Sequence, residues 1–205
     1  MYAEVARDGR HVLINEVDRA RAKLEAAITN GRSHASCLQL WSEFVRVRDG
    51  RCLNCDSMMA IQAHHVFRKV VHPSGSLESG NGITLCLRCH KEIHSTFNRR
   101  PIPGTPLNAQ GGDDQDEMSF LFGLLMDDAN ARRMDHNRYY YISDEMLQMF
   151  VKYQGYAEYF ESMQRGNISR LRAAHEIWRG MPDEWYRNIA SDFGEILLHS
   201  WLDKA

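Results

Sequence analysis

The stretch Cys52-Leu53-Asn54-Cys55, then Ile61-Gln62-Ala63-His64-His65-Val66, then Asn81-Gly82-Ile83-Thr84-Leu85-Cys86-Leu87-Arg88-Cys89-His90-Lys91-Glu92-Ile93-His94, decides how this chain is read. Two Cys-x-x-Cys pairs with thirty residues between them predict one tetrahedral thiolate site for structural zinc. A window this short buries little apolar surface, so a bound metal supplies folding free energy that a core supplies elsewhere. Residues 61–66 and 82–85 read as two short strands, and a helix is expected from Leu87 onward. Neighbouring strand residues face opposite ways, so His64 and His65 cannot share one metal. His90 and His94 stand one turn apart on a single helical face. The spacing therefore predicts a second metal site at His64, His90 and His94, with positions left open. His65 stands beside it as a free base.

Working outward, apolar residues at helical spacing predict helices over about 13–29 and about 36–48. Asn30-Gly31 and Asp49-Gly50 are their stops, and Leu38, Leu40, Trp41, Phe44, Val45 and Val47 form the buried face of the second. Cys37 reads as a buried small hydrophobe. Between the strands, Pro73-Ser74-Gly75-Ser76 and Ser79-Gly80-Asn81-Gly82 predict an exposed loop, and His72 is assigned to the surface. Prolines at 101, 103 and 106, glycines at 111 and 112 and the acidic run that follows mark a linker over 101–117. Residues 118–205 read as all-helical. Ser143 should cap a long helix to about Arg165, Ser169 one through Trp178, and Pro182 should open a last one. Trp178, Trp185, Trp201 and the tyrosines at 139–141, 153, 156 and 159 are expected in the core and at interfaces rather than stacked on bases.

Hydrophobic residues at 43% and charged residues at 25% are ordinary for a globular chain, and no eighteen-residue apolar run predicts a membrane span. No secretory signal is apparent at the start, so a reducing, cytoplasmic setting is expected, where paired cysteines bind metal rather than form disulfides. Residues 1–104 carry fifteen Lys and Arg against ten Asp and Glu, a difference of +5, whereas 105–205 carry ten against seventeen, a difference of −7. A basic first half suits a polyanionic partner.

The central window resembles the HNH, or ββα-metal, endonucleases of the subclass with a zinc-binding cysteine quartet. Cys52, Cys55, His64-His65, Asn81, Cys86, Cys89, His90 and His94 carry the resemblance, which spans about residues 41–98. It implies an α+β fold: a ββα-metal nuclease core with a zinc knuckle, flanked by N-terminal helices and a helical C-terminal domain. The expected division is an N-terminal helical segment 1–35, a nuclease domain 36–100, the linker 101–117 and a helical domain 118–205. The resemblance implies that His65 is the general base, that Asn81 pins the loop and orients that base, and that His64, His90 and His94 hold one divalent ion. Mg²⁺ or Mn²⁺ is implied, with Ni²⁺ or Zn²⁺ as further candidates because the ligands are all histidine. DNA is the implied partner, and Arg68, Lys69, Arg88, Lys91, Arg99 and Arg100 are candidate phosphate contacts. A homodimer or partner protein through the helical region, and a restriction or antiphage defence role, complete the expectation. The alternative is a non-catalytic zinc-stabilised module that binds nucleic acid or protein.

Overall fold

The computed structural model of the chain describes residues 9–69, 72–96 and 115–180. Helices α1 (Gly9–Thr29) and α2 (His34–Asp49) pack side by side. α1 buries Val17, Ala20, Leu24 and Ala27, at steps of three and four residues that keep them on one face. α2 answers with Cys37, Trp41, Phe44 and Val45. The Ser33 hydroxyl accepts from the Ser36 N–H at its start. Gly50, at φ 70°, ends α2 in the left-handed conformation that a Cβ disfavours.

Strand β1 (Ile61–His65) pairs antiparallel with β2 (Gly82–Cys86), in a register running from Ile61 opposite Cys86 to His65 opposite Gly82. Every residue of β2 is buried, because the strand lies between β1 and α2. Helix α3 (Leu87–Thr96) follows without a break. The order strand, loop, strand, helix is the one the spacing predicts, and the fold class is α+β.

The loop between the strands departs from expectation. It forms two short 3₁₀ turns, α-like but tighter, over Ser74–Leu77 and Ser79–Asn81, with Gly75, Ser76, Gly80 and Asn81 buried. The covering comes from far along the chain. Gly80 N–H donates to the Tyr141 carbonyl (2.8 Å), Tyr141 N–H to Ser79 Oγ (2.8 Å), and Ser143 N–H to the Glu78 carboxylate (2.9 Å). Small residues that suggest solvent serve here for close approach. A Cβ on Gly80 would lie 2.5 Å from the Tyr140 carbonyl oxygen. His72 is likewise buried rather than on the surface, since its ring sits where a Cβ on Gly75 would meet its Cδ2 at 2.6 Å.

The remaining helices are α4 (Gln115–Ala131), α5 (His136–Tyr139), α6 (Asp144–Gln154), α7 (Ala157–Gln164) and α8 (Arg170–Arg179). α4 starts inside the stretch read as linker, where Asp116 and Glu117 suit the positive end of a helix. Ser143 and Ser169 cap α6 and α8 as expected. The single helix expected from Ser143 to Arg165 is instead two, divided at Gly155 (φ 81°), which ends α6. Trp178, Tyr139, Tyr140 and Cys37 are buried, whereas Tyr141 and Tyr153 are exposed. Residues 98–100, the stretch from Pro101 to Asp114, and Pro182, Trp185 and Trp201 lie outside the described residues.

One contact ties the hairpin to the helices. Phe67, two residues past β1, inserts among Phe150 (5.2 Å between ring centroids), Trp178 (5.9 Å) and Tyr153 (6.1 Å). The core of the C-terminal helices is thus completed by a side chain just past the strand that carries the histidine pair.

Candidate active site

The turn after α2 presents Cys52 and Cys55. It is tied down by Cys52 N–H to the Ser57 carbonyl (2.8 Å) and Leu53 N–H to the Thr84 carbonyl (3.0 Å), the latter on β2. Cys86 ends β2 and Cys89 lies in the first turn of α3. The four sulfurs fall within 4.8 Å of one another, with Cys55 and Cys86 at 3.7 Å. A tetrahedral zinc with bonds of about 2.3 Å needs sulfur–sulfur edges of about 3.8 Å. The quartet fits that ion, which would be held by four thiolates at the end of the hairpin farthest from His65. The Cys89 N–H draws the Cys86 thiol down to about 7, while burial pushes Cys89 up to about 12. Without a cation, the four thiols cannot all ionise together. Arg88 lies over this quartet: Glu92 first, then the Cys55 and Cys89 thiols, hold its guanidinium pKa up.

At the other end, His64 on β1 meets His90 and His94 on α3. Ring centroids are 5.0 Å apart for His64 and His90, 5.1 Å for His64 and His94, and 4.5 Å for His90 and His94. One nitrogen from each lies within 4.8 Å of the others, His64 being buried and His94 exposed. Burial, then the neighbouring His90 and His94, lowers His64 to about 3, and burial also lowers His90. These rings are therefore neutral near pH 7, with lone pairs free for a metal. One side is open to solvent through His94.

His65 points the other way, as strand alternation requires. Its Nε2 is 2.9 Å from the Ser76 carbonyl oxygen. A carbonyl only accepts, so Nε2 carries the proton and Nδ1 keeps the lone pair. Trp41 of α2 stacks on the imidazole, with centroids 4.0 Å apart and planes 11° from parallel. Burial lowers the pKa of His65, so the free base predominates at neutral pH.

Asn81 fastens the loop that provides Ser76. Its Oδ1 accepts from Phe67 N–H (2.7 Å), and its Nδ2 donates to the carbonyls of Phe67 (2.9 Å) and Gly75 (3.2 Å). Of the candidate phosphate contacts, Lys69 and Lys91 are exposed and Arg68 is half-buried. Lys69 lies close enough to His65 to act on its charge.

Residues 51–96 match the family model described as HNH endonuclease. This window is an HNH domain. No curated protein and no solved structure was found to match the chain. The match supports a nuclease, and the cysteine quartet suits structural zinc. No described helix is long and apolar enough to cross a membrane.

Two residues that shape the HNH site lie outside the matched window and carried no functional signal in the sequence. Trp41 read only as helix core. Arg48 read as part of a helix end, yet with Asp49 it is fully buried. Its guanidinium donates to Asp49 (2.7 Å), to the Ser79 carbonyl (2.5 Å) and to the Gly82 carbonyl (2.6 Å). Asp49 accepts in turn from Thr84 N–H on β2 (2.7 Å). An Arg-Asp pair just before a Cys-x-x-Cys turn is the pattern that would have marked it.

Proposed function

We propose that this protein is a metal-dependent endonuclease that hydrolyses DNA phosphodiester bonds, with His65 as general base. The observation that carries this reading is the division of labour between adjacent histidines. His64 joins His90 and His94 in a convergent trio of ligand nitrogens, while His65 is held apart with one nitrogen free. Fixing Nε2–H on the Ser76 carbonyl selects the tautomer whose Nδ1 takes a proton from water as that water attacks phosphorus. The P–O3′ bond then breaks, leaving a 5′-phosphate and a 3′-hydroxyl. Asn81 holds the loop that keeps this tautomer in place. A divalent ion at His64, His90 and His94 would supply Lewis-acid stabilisation of the charge on the phosphate and the leaving oxygen. All-nitrogen ligation suits Mn²⁺, Ni²⁺ or Zn²⁺ alongside Mg²⁺. Lys69, Arg68 and Lys91 would steady the neighbouring backbone phosphates. Arg88 has its first use at the cysteine quartet.

Cleavage of supercoiled plasmid by purified protein tests this reading. With Mg²⁺ or Mn²⁺, nicked or linear products are expected, and EDTA should prevent them. His65→Ala should lower the rate by about 10²- to 10⁴-fold, the usual worth of a general base. Its melting temperature and zinc content should match the wild type. Unchanged cleavage by that variant would refute the assigned base. DNA binding without cleavage under Mg²⁺, Mn²⁺, Ni²⁺ and Zn²⁺ would favour the binding module instead. One such site cuts one strand at a time, so linear product formed without a nicked intermediate would call for a second copy of the chain. A restriction or antiphage setting is suggested by the pairing of this domain with a helical region.

A further inference from the structure

We infer that Trp41 is a positioning residue for His65, so that the working site reaches outside the HNH window into α2. This rests on the reading of His65 as the base. The indole lies flat on the imidazole at 4.0 Å and 11°, and is only 2% exposed. It is held from its own edge, since Nε1–H donates to the Glu78 carbonyl (2.9 Å). The imidazole is held from its edge by the Ser76 carbonyl (2.9 Å). Two parallel rings are thus fastened to the same short loop, two residues apart. A base whose free nitrogen must be aimed at one water needs its ring plane fixed. A hydrogen bond at one nitrogen alone still allows rotation about that bond. A flat neighbour stops it.

The opposite strand makes room for this arrangement. Gly82 is the register partner of His65, and a Cβ there would lie 2.6 Å from both Trp41 Cζ2 and Val45 Cγ2. Gly82 has φ −126° and ψ 140°, an extended conformation that any residue adopts. Glycine is therefore required at this place by the indole and Val45 and not by the backbone. The substitution Gly82→Ala crowds Trp41, together with Val45 beside it on α2, without changing the chemistry of the indole.

Three variants in the full chain, assayed for steady-state plasmid nicking over ranges of plasmid and Mn²⁺ concentration, test the proposal. Trp41→Leu removes the flat ring and should lower kcat by about tenfold to a hundredfold, the effect of a misaimed group. KM and the half-saturating Mn²⁺ concentration should stay at wild-type values. Trp41→Phe keeps a flat ring without the N–H and should restore most of the lost kcat. Gly82→Ala should behave like Trp41→Leu. Rates are taken per folded molecule, so a loss of stability does not imitate the effect. A readout independent of activity is the ring-current shift of the His65 ring protons. It should be upfield in wild type and Trp41→Phe, and absent in Trp41→Leu. Loss of that shift with kcat unchanged would overturn the proposal. So would equal kcat loss in Trp41→Phe and Trp41→Leu. Absence of cleavage by the wild type with any metal would instead sink the nuclease reading, and this proposal with it.

Discussion

Asn81 has every polar atom of its side chain engaged with buried main chain, at Phe67 N–H, the Phe67 carbonyl and the Gly75 carbonyl. Asn81→Ala would strand the Phe67 N–H and carbonyl, whereas the Gly75 carbonyl keeps the Glu78 N–H (3.2 Å). Leaving buried groups unsatisfied costs about 1–3 kcal/mol each before relaxation. Urea denaturation should show the variant destabilised by about 3 kcal/mol in total, and wild-type stability would contradict the role. Asn81→Asp keeps the acceptor for Phe67 N–H but sets a buried carboxylate oxygen against two carbonyls, and should cost at least as much as Asn81→Ala. The resemblance pointed to Asn81 as the residue that pins the loop. Its partners were not legible, because Phe67 lies fourteen positions earlier and no periodicity links the two.

Among the elements, the cysteine quartet joins the turn after α2, the end of β2 and the start of α3. Cys52→Ser should drop zinc from about one ion per chain to near none by elemental analysis, because a tetrahedral site rarely tolerates loss of a thiolate. Protease cutting should then concentrate in the hairpin while helices α4 to α8 stay protected. Equal protection of both regions would show that the thiolates do not staple this window. At α8, His136 Nδ1 lies 2.9 Å from the hydroxyl of the cap residue Ser169. Burial lowers the pKa of His136 below its usual value. The unfolded chain therefore takes up this proton first on acidification. The contribution to stability is full above about pH 6.5 and is lost as pH falls toward the folded value. His136→Gln should flatten the fall in melting temperature between about pH 7.5 and about pH 5.5, and an unaltered slope would refute the assignment. Helix and strand placement was largely legible here: periodicity found α1, α2 and the hairpin, and serine caps found α6 and α8. The break at Gly155 was passed over because Tyr153, Tyr156, Tyr159 and Phe160 continue an apolar pattern across it.

Taken as a whole molecule, the HNH window and the helices share one core, through Phe67 on one side and the Arg48–Asp49 pair on the other. Arg48 also donates to the Tyr139 carbonyl (3.2 Å) and lies 4.2 Å from the Tyr140 ring centroid. It therefore ties α2, the loop before β2 and the end of α5 together. Arg48→Met would leave Asp49 charged, buried and half-satisfied, at a cost of about 3–5 kcal/mol. Denaturation should show that loss, with Arg48→Met/Asp49→Asn recovering part of it. A cost below about 1 kcal/mol would mean that the pair is not the tie described here. None of this was legible, since burial of the 73–82 loop is decided by residues some sixty positions later. Gly and Ser composition points equally to solvent and to tight packing. The oxygens that steady the base and its indole belong to peptide groups at positions 76 and 78. The Glu78 side chain is tied to Ser143 and that of Ser76 is buried, so a side-chain substitution at either position reports on the loop and not on these two oxygens. An amide-to-ester replacement weakens the oxygen that precedes it, so esters at 77 and 79 would test these two acceptors while leaving the side chains in place.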